Sequence, residues 1–325
     1  MRALATPIAL ALTFALPVLA RAAAPGHDVG RRDVWKPGDV VTTTTKEDRY
    51  REIRVPDKEE ETGPSKPQRL RSVVVALERC EETDLEGNRT RALVYFDTWS
   101  FDNGATKDES LKGALVDVTG RGKERTWKLV GARTAPSKPA LAWLAREVGA
   151  SRPDDDTARR AWLPKVPVAV GDEWPAELAV LLDGMTGADK LDRTRATATS
   201  RLEAVEGGVA KMTLAAKLPL TSFPTAKSAK PVAWSKGGAY AWKGSLTVAL
   251  EGRVPATRLA TAGTLEGEAV VEGKTVAILV KVDRTSERAL GGTFPDPATV
   301  PPYPPVEGAP APTPAPPAMG ETPPK

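Results

Sequence analysis

The chain has 325 residues, with 46 Lys and Arg against 42 Asp and Glu, one histidine and one cysteine. A lone Cys80 excludes an internal disulfide, and one cysteine with one histidine excludes a zinc site built from those ligands. Bases alternate with acids along the whole length and form no basic stripe, which argues against nucleic acid as a partner.

Arg2 leads into an apolar run from Ala3 to Ala20, and Ala20-Arg21-Ala22 has the small-x-small pattern that signal peptidases read. The expectation is an exported protein, periplasmic or extracellular, that loses residues 1–22 and begins at Ala23. Pro7 and Pro17 interrupt the apolar run, which reads against a retained membrane span. No cysteine follows it, so a lipoprotein is not expected. Cleavage removes Arg2 and Arg21 and no acid, leaving a formal net charge of +2. Residues 23–32, with His27 in AAPGHDVG, read as a flexible N-terminus. A histidine there is poorly placed for a Ser-His-Asp or Cys-His arrangement, which needs a rigidly held imidazole.

From residue 33 to 294 the pattern is mostly β, with two halves, 33–165 and 166–294, as one reading of the domain. Period-2 runs recur at 40–55, 69–83 and 89–101. In the second of these Val73, Val75 and Leu77 share a face. In the third Leu93, Tyr95 and Trp99 share one face, with Val94 and Phe96 on the other. Segments 111–118 and 124–132 flank a Gly-containing turn, and 195–205 and 209–218 flank another. Three more runs, 240–254, 256–271 and 274–287, close the domain. Short Gly-rich connections imply antiparallel pairing, and alternation with polar residues implies one wet face. The charged stretch 55–68 reads as a long exposed hairpin loop.

Helix is scarce. Residues 138–150 place Leu141, Leu144, Ala145 and Val148 on one stripe before Gly149. Residues 154–163 suit a short helix whose first turn holds Asp154, Asp155 and Asp156, acids that suit a helix start better than a calcium loop. Segment 177–185 is ambiguous between strand and helix. From Pro295 to Lys325 there are 13 prolines in 31 residues, and this segment reads as a disordered Pro-rich tail.

One internal echo stands out. VWKPGDVV (34–41) opens the first half and VPVAVGDEWPAEL (166–178) the second, each with Gly-Asp after an extended apolar approach. Two strand-entry turns explain Asp39 and Asp172 better than a carbohydrate or ion site. Trp174 is expected to be buried between the second half and the 138–150 helix. The eight tryptophans, which outnumber the five phenylalanines, read mainly as core.

The signal sequence, the W-x-P-G-D opening (Trp35 to Asp39) and P-V-x-V-G-D-x-W (Pro167 to Trp174) resemble those of uncharacterised exported bacterial proteins. The closing G-S-L-T-V-x-L-E-G-R-V (244–254) and T-x-G-x-L-E-G-E (261–268) add to the likeness. In pattern they are similar to half-barrel envelope proteins such as the lipoprotein carriers. The resemblance implies a mainly β (α+β) fold, a curved antiparallel sheet wrapped around one or two short helices.

Three function classes fit these residues. The first is a non-catalytic envelope protein that binds a lipid, glycan or protein on a concave sheet. The second is a structural or secretion-associated protein without a small ligand. The third is a carboxylate-dependent glycan hydrolase, which needs two facing acids such as Glu78, Glu82 or Asp97. The sequence singles out no catalytic, cofactor, metal or ligand-binding residue, no cofactor and no defined partner or oligomeric state. Cys80, among Glu78, Glu81 and Glu82, reads as an unreactive thiol.

Overall fold

A computed structural model describes residues 26–30, 33–54, 65–149, 159–183, 191–222, 232–271 and 273–303. The expected signal sequence, most of the expected 55–68 loop, Asp154 to Asp156 and the segment beyond Tyr303 lie outside the described residues. The fold is mainly β, as the alternation predicts. Among the described residues twelve strands form one large open antiparallel sheet. In chain order they are β1 (Val40–Arg54), β2 (Ser65–Thr83), β3 (Arg89–Asp102), β4 (Lys107–Asp108), β5 (Leu115–Thr119) and β6 (Thr126–Gly131). After helix α1 (Lys138–Glu147) come β7 (Glu173–Pro175), helix α2 (Leu178–Asp183), β8 (Thr197–Glu206) and β9 (Val209–Pro219). The chain ends its sheet with β10 (Lys236–Ala249), β11 (Thr257–Val271) and β12 (Lys274–Leu290).

The strand order is β6-β5-β3-β2-β1-β12-β11-β10-β9-β8-β7, with β4 paired to β3. The first and last strands therefore meet in the middle. Their ladder runs from Val41 opposite Leu290 to Arg54 opposite Ala277 without a break in register. Each flank has its own apolar core. Val74, Phe96, Trp99, Leu111 and Val116 pack with Ala140 and Leu144 of α1 on one side. Val29, Trp162, Leu202, Met212, Leu214 and Leu246 form the other.

Local chemistry explains the helices. Ser137 caps α1 by accepting the Ala140 N–H (3.1 Å), and Pro139 occupies its first turn. Asp108 in turn accepts from the Ser137 hydroxyl (2.5 Å). The buried residues of α1 are Ala140 and Leu144, with Leu141 and Val148 partly buried, whereas Ala145 of the expected stripe is exposed. The ambiguous segment at 177–185 is helical over α2. Of the helix expected at 154–163, Arg159 and Arg160 are described as helical, and they run into the buried Trp162 and Leu163.

The structure corrects the face assignment on β3, where Trp99 is expected on the face opposite Phe96. On β2 the buried positions are Val74, Ala76 and Cys80, and Val73, Val75 and Leu77 are half-buried. On β3, Val75 pairs with Thr98 and Ala76 with Phe96, so Asp97 is an extra residue. That bulge turns the strand by one position and brings Phe96 and Trp99 onto the same buried face.

Both ends of the domain are tied down further than the sequence suggests. His27 donates its N–H to Val168 O (2.7 Å) and accepts from Val168 N–H (3.1 Å), and Val29 is buried in the second core. Residues 26–30 therefore belong to the packed domain, because Val29 has an apolar cluster to enter. At the other end, Ala132 N–H donates to Pro301 O (3.0 Å), Tyr303 N–H to Val130 O (3.3 Å), and Tyr303 packs on the first core. The first residues of the Pro-rich segment thus shield the β6 edge, while β7 ends its edge in three residues with Pro175.

Candidate ligand-binding cleft

Strand alternation makes the site. The inward positions of the sheet and the undersides of the covering segments enclose an open cleft of about 1290 Å³, larger than a typical small-molecule pocket. Its walls are apolar and aromatic. On the first flank Trp143 of α1 stands edge-on to Phe96 (5.7 Å between centroids) and Trp99 (5.8 Å). On the second, Trp162 stacks on Trp242 of β10 at 4.7 Å, beside Leu178 and Leu181 of α2. Tyr240 lies across Gly263 of β11, where any side chain would collide with its ring. Burial pushes the Tyr240 hydroxyl's pKa up, so it stays neutral.

The floor between these walls is polar. The central strands present Thr43, Thr45, Glu47 and Arg49 from β1, and Arg284, Ser286 and Arg288 from β12. Glu47 accepts from Arg49 (2.9 Å), and the Thr45 and Ser286 hydroxyls are 3.2 Å apart. At one end Asp33, its side chain 1% exposed, accepts from Arg159 through Oδ1 (2.6 Å) and from Arg288 through Oδ2 (2.7 Å). One carboxylate thus joins the N-terminal segment, the connector between the two sets of strands and the last strand. The two guanidinium groups share one buried carboxylate. The Arg288 and Arg89 guanidinium groups lie over the Trp35 ring at 5.0 and 4.6 Å, and Arg89 donates to Glu78 (2.6 Å).

The residues weighed in the sequence fall in different places. Glu78 lines the cleft but is held by Arg89; Glu82 lies 3.3 Å from Arg91, and Asp97 is exposed on the bulge. The three do not converge on one point of the cleft. Trp35, Trp99, Trp143, Trp162 and Trp242 all line it, so several tryptophans are both core and wall. Trp174 is half-buried and donates its indole N–H to Trp162 O (2.9 Å); it packs with the second core and not against α1. The reason is that α1 covers the opposite flank.

Asp39 and Asp172 build the same turn twice. Lys36 N–H donates to Asp39 Oδ2 and Ala169 N–H to Asp172 Oδ2, each at 2.8 Å. Gly38 and Gly171 take positive φ (87° and 96°), and their N–H groups donate to Cys80 O and Leu202 O. Only Asp39 also binds an arginine, Arg253, through both oxygens (2.8 and 2.9 Å). Burial raises the Asp39 pKa, but the Arg253 and Lys36 bonds outweigh it and bring it below the usual value. Cys80 is buried between Trp35, Val41 and Val254, and burial, more than the neighbouring acids, pushes its thiol up.

Sequence reasoning passed over Asp33, Arg159, Arg284 and Arg288. A signal existed for the last two. Along β12 one parity reads Val276, Ile278, Val280 and Val282 and then turns to Arg284, Ser286 and Arg288, a switch from apolar to charged on a face that stays inward.

Among the described residues no group of three or more His, Cys, Asp or Glu is placed to hold a metal, and no helix is long and apolar enough to cross a membrane. No protein-family model matches the chain, and no curated protein matches it. Among solved structures it is similar to lipovitellin, in a structure of lipid–protein interactions in lipovitellin, at 10% identity and a TM-score of 0.36. That match covers 79% of this chain and 25% of the other, so the chain spans about a quarter of lipovitellin's length. A match at that level says nothing of ligand.

Proposed function

We propose that this is an exported, non-catalytic protein that holds an amphiphilic molecule, a lipid or a lipid-like compound, in the cleft across its sheet. The observation that carries the reading is the pairing of two Trp-rich apolar walls with a polar floor in one cavity of about 1290 Å³. A fully packed sheet would leave no such space, and a carboxylate-dependent glycan hydrolase would bring two carboxylates to one point of the cleft. An amphiphile uses both surfaces: its chain removes Trp143, Trp162 and Trp242 from water while its polar end meets the floor. The signal sequence at residues 1–22 supports export, a setting in which apolar molecules need a carrier between membranes or surfaces.

Displacement of a fluorescent amphiphile, cis-parinaric acid, by oleate and by a short phospholipid tests this. Saturable binding near one molecule per chain, with quenching of tryptophan fluorescence, is expected. Trp242→Ala should weaken it several-fold. Absence of binding by both amphiphiles, in protein freed of co-purified lipid by organic extraction and refolding, would overturn the reading.

A further inference from the structure

We infer that Arg284 is the anchor for the ligand's head group, and that the cleft selects amphiphiles whose polar end is an oxyanion, a carboxylate or a phosphate. This deepens the amphiphile reading and rests on it. Arg284 sits on the central strand β12, directly opposite Glu47 of β1 and Thr261 of β11. It is half-buried and lines the middle of the cleft.

The neighbouring floor arginines are each answered by an acid: Arg49 by Glu47 at 2.9 Å, Arg89 by Glu78 at 2.6 Å and Arg288 by Asp33 at 2.7 Å. Arg284 is not. Among the described residues no carboxylate lies within 4.0 Å of its guanidinium. Its cross-strand neighbour Glu47 is engaged by Arg49, so the trio Glu47, Arg49 and Arg284 carries one net positive charge at the centre of the floor. That charge favours an anion in the cleft.

The surroundings suit the contact as well as the charge. A guanidinium presents its N–H groups as a planar fork that matches the oxygens of carboxylate and phosphate. Ser286 follows on the same face, hydroxyl to hydroxyl with Thr45, and the Thr261 hydroxyl donates to the Arg284 carbonyl (3.4 Å). Of the Thr45–Ser286 pair one hydroxyl keeps its proton, a donor two residues along the strand from Arg284. Both walls are close. Trp242 on β10 and Val74 on β2 are each two strands from β12, roughly 10 Å at ordinary strand spacing. A head group on Arg284 thus places its chain against either wall.

Isothermal titration of the full chain with oleate, oleoyl lysophosphatidate, oleyl alcohol and inorganic phosphate separates the outcomes. Both oleoyl anions should bind at least about tenfold more tightly than the alcohol, as charge-assisted hydrogen bonds imply, and the advantage should shrink with added salt. Arg284→Gln should bring the gap to about twofold with the alcohol unaffected, and Arg284→Lys should keep part of it. Equal affinity for oleate and oleyl alcohol in the natural protein would overturn the head-group inference and leave the amphiphile reading standing. A gap that survives Arg284→Gln would overturn Arg284 as anchor. Inorganic phosphate binding as tightly as the lysophosphatidate, or no binding by any oleoyl compound, would sink both. If Arg284→Gln does not fold, the acid–alcohol gap and its salt dependence in the natural protein decide the matter alone.

Discussion

The strands before α1 and those after it start from one local device and end in different structures. In each, an Asp side chain accepts from the N–H three residues back and a positive-φ glycine donates to the neighbouring strand. The first turn feeds β1, fifteen residues long, which runs through the centre of the sheet. The second feeds β7, three residues long, at its edge. The first aspartate is clasped by Arg253; the second is not. The tryptophans follow suit, Trp35 being buried under two guanidinium groups and Trp174 half-buried with one hydrogen bond. Identical turn chemistry therefore sets how a strand begins, and its place in the sheet sets how much energy depends on it.

The strongest way to break the comparison is to remove what joins the two regions. Asp33→Ala leaves the Arg159 and Arg288 side chains, 8% and 11% exposed, without their shared carboxylate. Loss of one partner from a buried ion cluster costs about 3–5 kcal/mol, and chemical denaturation should show it. A change below about 1 kcal/mol would mean that water already reaches these groups.

The two tryptophans sharpen the contrast. Trp35→Ala should cost about 3–5 kcal/mol, as large-to-small changes at buried aromatics do. Trp174→Ala should cost about 2 kcal/mol, since only part of the ring leaves water. Equal losses in parallel melts would show that the edge strand matters as much as the central one.

The aspartates give a smaller difference. Asp39→Ala should destabilise by about 1 kcal/mol more than Asp172→Ala, the difference being the partly exposed Arg253 pair. Because the Asp39 pKa is lowered on folding, its contribution is present above the unfolded carboxyl value near 4 and is lost as pH falls through the lower folded value. The gap between natural protein and Asp39→Ala should therefore close below about pH 4 and stay constant near neutrality. A gap that widened in acid would contradict the pairing.

Cys80→Ser should matter least. The thiol already faces Glu82 O at 3.6 Å, a partner a serine hydroxyl can take, so about 1 kcal/mol or less is expected. In the folded protein a thiol reagent should leave Cys80 unmodified, since it is 1% exposed. Rapid labelling would show that the packing around Trp35 opens.

The sequence by itself determined the mainly β class, the antiparallel hairpins, a helix within 138–150 and the two Gly-Asp turns. Each rests on residues close together in the chain: alternation, turn glycines, a Ser cap, an Asp side chain reaching three residues back. Tertiary structure alone decided the rest. The pairing of β1 with β12 joins segments more than two hundred residues apart, and no local pattern encodes it. The bulge at Asp97 shifted Phe96 and Trp99 onto one face by a single residue, which period-2 counting cannot foresee. Asp33, Arg159 and Arg288 meet only because three distant segments converge, and among the described residues no acid answers Arg284, its cross-strand Glu47 being held by Arg49. The cleft is built of such long-range meetings, so its charge and its walls became visible only once the chain was folded.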